Sequence, residues 1–233
     1  IFLMKTIGLI GGMSWESTSA YYRALNEGVK AELGGLHSAK VALFSVDFDE
    51  IEKLQHCGDW ARCGEILAQA GRAVEAAGAD FVLIGTNTMH KVADDVEAAL
   101  SVPLVHIADA TAEQLLADGI GCVGLLGTRF TMEQDFYKGR LQDKFGIDVL
   151  VPSETQQSLV HEVIYQELCL GEIKADSRTV FIKVIADLAF QGAEAVILGC
   201  TEIAMLVQQE HSSVKLYDTT EIHAAKAVSE ALA

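Results

Sequence analysis

GADFVLIGTNT, residues 78–88, and GAEAVILGCTE, residues 192–202, are the two stretches that decide the fold. They share Gly, Ala, Val, Gly and a threonine-bearing turn in register, at an offset of 114 residues (192 − 78). Each contains a short, continuous apolar run followed by polar residues, which is typical of a fully buried strand that leads into a helix. Strands of this kind form parallel sheets that helices cover on both faces. The sequence therefore predicts two related α/β units.

Two further matches place the rest of the chain in the same repeat. IGLIGGM from Ile7 matches VGLLGTR from Val123, and VPLV from Val102 matches VKLY from Val214. Their offsets, 116 (123 − 7) and 112 (214 − 102), agree with the first within the scatter of loop lengths. The chain is therefore predicted to be two copies of one unit, with halves at residues 4–118 and 119–233. The C-terminal helix is left free to pack back on the first half.

Eight apolar runs alternate with segments of helical period, and this order predicts two pseudo-symmetric, doubly wound parallel-sheet domains. The predicted strands are KTIGLI, KVALFSV, DFVLIG, VPLVHI, CVGLLG, IDVLV, EAVILG and VKLYD. Between them, residues 60–77 carry an apolar stripe at helical spacing, and Cys63 on that stripe is expected to pack in the core. Ligands of open parallel sheets bind at the carboxyl ends of the strands, so the active site is expected in one cleft between the halves.

Composition excludes several classes of partner. The 233 residues are 50% hydrophobic and 21% charged, which is a globular balance. Since 17 basic and 33 acidic residues give a net charge of −16, neither nucleic acid nor a membrane surface is an expected partner. No apolar run approaches the roughly 18 residues of a membrane span.

The two remaining sequence-level expectations concern the start of the chain and its compartment. Met4 is expected to be the natural start, with residues 1–3 an extension, and the first apolar stretch is interpreted as a buried strand rather than a signal peptide. Five cysteines, an odd number without a pairing pattern, predict reduced thiols and a cytoplasmic protein.

The repeat places Thr86 opposite Cys200 (200 − 86 = 114). Each residue follows a strand-ending glycine and precedes polar residues that open a helix. Free backbone N–H groups at a helix start favour both a thiolate and a substrate carboxylate. Cys200 is therefore a candidate acid/base group, and a buried structural cysteine is the alternative.

At this point the motifs resemble the aspartate/glutamate racemases, which work without pyridoxal phosphate, and in particular their broad-specificity amino-acid racemase branch. The resemblance covers nearly the whole chain from Met4. It is carried by IGLIGGMSWEST, TNTMH, LLGTRFTMEQDFY and GCTEI, in that order along the sequence. It implies two pseudo-symmetric domains, a homodimer, no cofactor and a small-molecule amino-acid substrate. It also implies two opposed acid/base groups, one that removes the α-proton and one that returns it.

The chain departs from the family pattern at one of these groups. The resemblance implies cysteine at both acid/base positions, and the first position here is Thr86. An alcohol is a far weaker acid than a thiol and a poor base. We therefore expect Cys200 to carry most of the chemistry, with Thr86 or a held water on the weak face, and the two directions of reaction to differ.

The resemblance also implies which residues hold the substrate. The expected substrate-binding residues are Gly12, Met13, Ser14, Asn87, Thr88, Thr128 and Thr201. For Gly11 and Gly12 a tight turn is an equal alternative. His90, four residues beyond Thr86, is expected to be structural, with an orienting role as the alternative. The seven histidines show no metal-binding spacing, so no metal is expected.

Side-chain specificity is left open by the sequence. In aspartate-specific relatives a basic pair is expected to hold the distal carboxylate. The corresponding stretches, FSVDFDEIE and ELCLGE, contain no Arg or Lys, and Cys169 lies in the second. Aspartate, glutamate, homoserine and other polar or neutral amino acids therefore all remain as substrates, with Arg129 as an alternative basic group or simply a solvated surface residue.

Two other functions are weighed against racemisation. One is an enzyme that uses a single cysteine to protonate an enolate, as in the decarboxylases of the superfamily, although the retained TNT turn and His90 count against it. The other is a non-catalytic amino-acid-binding protein that keeps the fold without the chemistry. Exchange of the α-proton in deuterium oxide separates both from a racemase.

Overall fold

The computed structural model describes residues 3–233, so Ile1 and Phe2, on which part of the expected N-terminal extension falls, lie outside the described residues. Within the described chain the strands are β1 (Ile7–Gly11), β2 (Val41–Ser45), β3 (Phe81–Ile84), β4 (Cys122–Gly127), β5 (Asp148–Leu150), β6 (Ala195–Gly199) and β7 (Lys215–Asp218). The α-helices are α1 (Trp15–Leu33), α2 (Phe48–Cys57), α3 (Trp60–Ala76), α4 (Ala93–Ala98), α5 (Ile107–Ala117), α6 (Arg129–Glu133), α7 (Asp135–Phe145), α8 (Glu154–Gln166), α9 (Ala175–Phe190), α10 (Ile203–Leu206) and α11 (Thr219–Leu232). Short 3₁₀ helices cover Thr88–Val92, Leu168–Leu170 and Gln209–His211.

The strands form two parallel sheets, which confirms the predicted fold class. The first sheet has the order β2-β1-β3 and the second has the order β5-β4-β6-β7. The strand pairs of residues 3–233 are parallel, with helices as the connections between them. The first strand of each repeat therefore lies in the interior of its sheet, flanked by the next two strands of that repeat.

One predicted strand, VPLVHI, is reduced to a single bridge. Leu104 pairs with Val82 in parallel, through bonds from Val82 N–H to the Pro103 carbonyl and from Val105 N–H to the Val82 carbonyl, both 2.9 Å. Proline has no N–H to donate, and the chain turns into α5 at Ile107. The segment nevertheless occupies the place beside β3 that β7 occupies beside β6.

An acidic residue at the same position of each repeat ties the first strand to its sheet. Thr6 N–H donates to Asp80 Oδ2 at 2.6 Å, and Cys122 N–H donates to Glu194 Oε1 at 2.9 Å. Asp80 and Glu194 are 114 residues apart (194 − 80), the offset of the repeat. A carboxylate that accepts a backbone N–H satisfies a donor that the parallel ladder leaves open at the strand start.

The chain divides into two compact units whose bounds differ from the predicted halves. The first runs to Ile107 and resumes at His223–Ala233, and the second is Ala108–Ile222. Residues 108–118 belong to the second unit because Asp109 on α5 accepts from Arg140 and Lys144 on α7. Helix α11 returns to the first unit from His223 onward.

Each unit has its own apolar core. In the first unit Tyr21 and Leu25 of α1 pack with Ala227 and Val228 of α11 on one side of the sheet. Helix α3 packs on the other side, and the predicted helix over residues 60–77 matches it closely. Cys63 is fully buried there, and burial raises its pKa to about 11, which fits the core role expected of it.

Among residues 3–233, no helix is long and apolar enough to cross a membrane.

Candidate functional site

In the first unit the turn after β1 has a conformation that requires glycine. Gly12 has φ +95°, and a Cβ there would lie 2.2 Å from the Val46 carbonyl oxygen. Its N–H donates to Thr18 Oγ1 at 2.7 Å. Ser14 caps α1 by accepting from Ser17 N–H, and Met13 is 2% exposed. Gly12, Met13 and Ser14 therefore have structural roles, and the substrate contacts expected of them stay a prediction.

The turn after β3 carries the first predicted acid/base position. Thr86 directly follows Gly85 at the carboxyl end of β3 and is half-buried. Asn87 and Thr88, which are 1% and 5% exposed, start the short 3₁₀ helix. A threonine at a strand end, followed by a helical turn, is placed where ligands of parallel sheets bind.

His90 holds the backbone of this turn. Its Nδ1 lies 2.7 Å from the Thr86 carbonyl oxygen, and its Nε2 accepts from Ile107 N–H at 3.2 Å. Because a carbonyl only accepts, Nδ1 must carry the proton and the ring is neutral. Burial, together with His106 and His223, lowers the pKa of His90 well below its usual value. Both ring nitrogens are occupied, so His90 orients Thr86 and is not itself a base.

His223 and Tyr21 complete the buried group around His90. The ring centroids of His90 and His223 are 6.0 Å apart, and those of His90 and His106 are 4.4 Å apart. His223 Nε2 lies 2.7 Å from the Val105 carbonyl, so it donates there, and Nδ1 accepts from Tyr21 Oη at 2.7 Å. Burial lowers the pKa of His223 to about 4. His90 and His223 are therefore neutral at pH 7, and the hydrogen bonds of their ring nitrogens hold both rings in place.

In the second unit Thr128 and Cys200 lie at the carboxyl ends of β4 and β6. Thr128 is 4% exposed and caps α6, since its Oγ1 accepts from Thr131 N–H at 3.3 Å. Cys200 is 7% exposed and belongs to the apolar core of the unit, against which Cys169 also packs. The strand register of β4 with β6 brings Gly127 level with Gly199, so Thr128 and Cys200 follow neighbouring positions of the sheet edge.

Glu202 makes Cys200 different from the other cysteines. Cys200 Sγ donates to Glu202 Oε2 at 2.9 Å, and Thr201 Oγ1 donates to the same oxygen at 2.7 Å. The carboxylate is 3% exposed, so its attraction for the thiol proton is little screened by water. Burial and the neighbouring carboxylate raise the pKa of Cys200 well above its usual range. The resting site therefore holds a protonated thiol with a proton acceptor attached to it.

Glu202 and Asp218 were not assigned a role from the sequence. A signal for Glu202 exists, because it is a carboxylate two residues beyond a cysteine, where the other repeat has Thr88. Asp218 ends β7, and its Oδ1 accepts from Thr220 N–H at 2.8 Å at the start of α11. Burial, with Glu221, raises the pKa of Asp218 to about 6. Asp218 is the counterpart of His106 (218 − 106 = 112) in the repeat.

The basic side chain considered for a distal carboxylate is engaged elsewhere. Arg129, considered for a distal carboxylate, donates through Nε to Glu133 Oε1 at 2.9 Å, with both side chains 43% exposed. Its backbone N–H donates to His161 Nδ1 at 3.1 Å. Among residues 3–233, no group of three or more His, Cys, Asp or Glu is arranged to hold a metal ion.

Comparison with known proteins adds to this geometry. The model of the family described as Asp/Glu/Hydantoin racemase matches residues 10–227. The chain is 23% identical over 242 residues to the broad specificity amino-acid racemase RacX of Bacillus subtilis, covering 97% of this chain and 98% of that protein.

Two solved structures extend the likeness over the whole fold. A crystal structure of a protein from Yersinia pestis, described as a candidate Asp/Glu racemase, is 55% identical with a TM-score of 0.91 and covers 99% of this chain and 100% of its own. An aspartate racemase homologue from Pyrococcus horikoshii is 35% identical with a TM-score of 0.82, covering 98% and 99%. With a family match across most of its length, the chain belongs to the Asp/Glu/Hydantoin racemase family and is an amino-acid racemase.

Proposed function

We propose that the protein racemises a free amino acid, aspartate or glutamate with broader acceptance, without a cofactor, using Cys200 on one face of the α-carbon and the Thr86 position on the other. The observation that carries the proposal is the 2.9 Å hydrogen bond from Cys200 Sγ to Glu202 Oε2. It gives a buried thiol a proton acceptor at the carboxyl end of a parallel strand. The repeat supplies Thr86 at the equivalent position of the first unit.

Glu202 allows Cys200 to work in both protonation states. For deprotonation, the thiol proton passes to Glu202, and the thiolate takes the α-proton while the electron pair stays on the substrate carbon. For reprotonation, the thiol gives its proton to the carbanion and recovers one from Glu202. Proton transfer by a positioned group contributes about 10²- to 10⁴-fold to a rate. The raised pKa of Cys200 makes the protonated thiol the resting form.

The Thr86 face differs from the Cys200 face in its ability to remove a proton. A hydroxyl, or a water held by it, can give a proton to a strongly basic carbanion. It cannot efficiently remove an α-proton, because removal requires an alkoxide. The enantiomer whose α-proton faces Cys200 is therefore deprotonated faster. The equilibrium constant of racemisation is one, so kcat/KM is the same in both directions, and the inequality is expressed in kcat, in KM and in isotope exchange.

Isotope exchange with retention of configuration is the test. In deuterium oxide each enantiomer is followed separately by proton NMR for loss of the α-proton and by chiral chromatography for inversion. We expect one enantiomer to exchange with retention faster than it inverts, since Cys200 can remove and return a proton on one face. The other enantiomer should exchange only as fast as it inverts.

Three variants separate the roles in this experiment. Cys200→Ser should abolish exchange of both enantiomers, and Cys57→Ser, at an exposed cysteine, should leave exchange unchanged. Thr86→Val should suppress inversion more than exchange with retention. Equal exchange with retention from both enantiomers, unaffected by Thr86→Val, would remove the proposed inequality.

The substrate class is proposed from the names of the relatives and from the side chains available. The matched proteins are described as Asp/Glu, aspartate and broad-specificity amino-acid racemases. The assay should therefore offer both enantiomers of aspartate, glutamate and homoserine. Ligand-induced thermal stabilisation without exchange would favour an amino-acid-binding protein. Release of carbon dioxide from a substituted malonate, without exchange of any amino acid, would favour a single-cysteine decarboxylase.

A further inference from the structure

The two acid/base positions differ in the titratable side chain that accompanies each of them. Cys200 has Glu202, whose Oε2 accepts the thiol hydrogen at 2.9 Å. In the repeat Glu202 corresponds to Thr88 (202 − 88 = 114), and a threonine hydroxyl does not titrate near neutral pH. The Thr86 face therefore needs another group with which to exchange protons, and that group must lie at the carboxyl end of β3.

The buried cluster of His90, His106 and His223 supplies a candidate for this group. His90 donates from Nδ1 to the Thr86 carbonyl and accepts at Nε2 from the Ile107 N–H. His223 is bonded through both of its ring nitrogens as well. Neither ring can take up a proton without losing one of these bonds. His106 is 7% exposed and packs on His90, with 4.4 Å between the ring centroids.

The strand register places His106 beside the strand that leads to Thr86. Leu104 pairs with Val82 in parallel, so two residues further along each chain His106 comes level with Ile84. Thr86 lies two residues beyond Ile84. Neighbouring strands lie about 4.8 Å apart and rise about 3.3 Å per residue, so the Cα atoms of His106 and Thr86 are roughly 8 Å apart. Their side chains and one bridging water can span that distance.

The second unit has an ionisable side chain at the same position. Asp218 pairs with Leu198 in β6, and Cys200 lies two residues beyond Leu198. Asp218 therefore stands to Cys200 as His106 stands to Thr86. Each repeat thus carries an ionisable group beside the strand that leads to its acid/base position, which favours a role in proton exchange over packing alone.

The surroundings of His106 allow it to carry a proton. Burial, and then the charge of His106, lower the pKa of His90, so of these two rings His106 is the one that becomes charged. Beyond His90, the ring of His223 is neutral and accepts from Tyr21 Oη at 2.7 Å. Asp109, three residues further along the chain, is paired with the basic side chains of α7. A proton on His106 therefore lies next to neutral rings.

We propose that His106 relays protons to and from the Thr86 face, through the Thr86 hydroxyl or a water held by it, an inference that rests on the proposed function. When the carbanion is protonated on this face, the oxygen gives its proton to the α-carbon and takes one from the imidazolium of His106. When an α-proton is removed on this face, neutral His106 takes a proton from the oxygen as the oxygen takes the α-proton, and the electron pair stays on the carbon. The Thr86 face remains the slower one, because the proton passes through a weakly acidic oxygen.

The partition of the carbanion tests the relay in the wild-type chain. The enantiomer whose α-proton faces Cys200 forms a carbanion that regains a proton from Cys200, with retention, or receives one on the Thr86 face, with inversion. The second path requires protonated His106. In deuterium oxide the ratio of inversion to exchange with retention should therefore fall as the pH rises from about 5 to about 8, the range in which histidine loses its charge. A ratio that does not change with pH would overturn the proposal.

Two variants assign that pH dependence to a residue. His106→Gln should lower the rate of inversion by about 100-fold or more, leave exchange with retention close to the wild-type rate and make the ratio independent of pH. Exchange with retention also shows that the variant is folded and binds its substrate. Asp218→Asn is the matched control, because it removes the corresponding ionisable group of the other unit, and its ratio should keep the pH dependence.

The outcomes separate this inference from the proposed function. If His106→Gln inverts as fast as the wild type, or if its ratio still falls with pH, His106 is not the relay. Equal losses of both rates in a folded His106→Gln would assign this histidine a structural role and would also overturn the proposal. Absence of α-proton exchange from the wild type with every amino acid offered would instead remove the proposed function on which the inference rests.

Discussion

The thiol of Cys200 and the hydroxyl of Thr86 occupy equivalent positions of the repeat in different local chemistry. Cys200 has the Glu202 carboxylate as a hydrogen-bond acceptor at 2.9 Å. Thr86 has its backbone carbonyl fixed by His90 at 2.7 Å. The contacts of Cys200 therefore suit proton transfer, whereas those of Thr86 fix the backbone geometry of its turn.

Replacing Glu202 tests the proton path. Glu202→Gln keeps the shape of the side chain but removes its ability to take the thiol proton, so we expect α-proton exchange to fall by about 100-fold or more. Glu202→Asp should restore part of it. Glu210→Gln is the control, since that carboxylate is 76% exposed, and its rate should match the wild type. An unchanged rate in Glu202→Gln would remove this carboxylate from the mechanism.

Replacing His223 tests the buried histidines through the pH dependence of stability. Its pKa is about 4 in the folded chain, against about 6.5 for an unperturbed histidine. Between these values the unfolded chain binds a proton that the folded chain does not, so stability is complete above pH 6.5 and is lost as the pH falls toward 4. The loss from this group is roughly 3 kcal/mol.

Urea unfolding at pH 7.5 and pH 4.5 measures this contribution. The decrease in the free energy of unfolding between the two pH values should be smaller in His223→Gln than in the wild type. Asp218, whose pKa of about 6 acts in the opposite sense, is present in both proteins and cancels in the comparison. Equal decreases would mean that His223 is not held neutral by burial.

The sequence alone predicts Cys200 and Thr86 as candidates, because each follows a strand-ending glycine at the equivalent position of the repeat and precedes a helix start. It did not assign Glu202 or the hydrogen bonds of His90. Contacts of this kind depend on the backbone conformation of the turn that follows each strand. Residue spacing alone does not determine the direction of the side chains in such a turn. The same reasoning explains why Asp218 went unnoticed as a buried carboxyl group.

At the scale of the elements, the turn after β1 shows how a loop is fixed by one residue. Gly12 combines a positive φ with a backbone carbonyl at 2.2 Å from the position a Cβ would take. Gly146, which ends α7, has φ +68° and no atom within 4 Å of that position. Comparing the two glycines therefore distinguishes the cost of a left-handed backbone conformation from the added cost of a steric clash.

Alanine substitution at both glycines tests this separation. Gly146→Ala should lower the free energy of unfolding by about 1–2 kcal/mol, the cost of a left-handed conformation. Gly12→Ala should cost clearly more and should also reduce racemisation, because the turn must move away from Val46. Thermal unfolding and steady-state rates are the measurements. Similar losses of stability in the two variants would contradict the close approach at Gly12.

The elements themselves were predicted well, with the segment VPLVHI as the instructive difference. Its apolar pattern is that of a strand, yet one bridge at Leu104 is all that forms. Pro103 removes a donor, and His106 and Ile107 already belong to the turn and to α5. Apolar runs indicate burial, whereas the length of a strand depends on where the next element must begin.

At the scale of the whole molecule, the first unit depends on a helix from the far end of the chain. Ala227 is fully buried between α11 and α1, whereas Ala225 on the same helix is exposed. The prediction of a boundary at residue 118 left the C-terminal helix free to pack back on the first half, because the repeat locates equivalent segments but does not give the packing partners of a terminal helix.

Aspartate substitutions on α11 test that dependence. Ala227→Asp should destabilise the first unit by several kcal/mol, since it buries a charge without a partner, and Ala225→Asp should change little. Amide hydrogen exchange measures the effect by region. Protection should fall in β1 and β3 of Ala227→Asp more than in β4 and β6. A uniform loss across all four strands would mean that the two units unfold as one.

The discontinuity of the first unit also sets an order of events during synthesis. Residues 108–222 are contiguous and can close their core as soon as they leave the ribosome. The first unit emerges earlier but lacks Ala224, Ala227 and Val228 until the last helix is translated. The half of the protein that is made first is thus completed last, and during elongation its α1 surface is an exposed apolar face that chaperones can recognise.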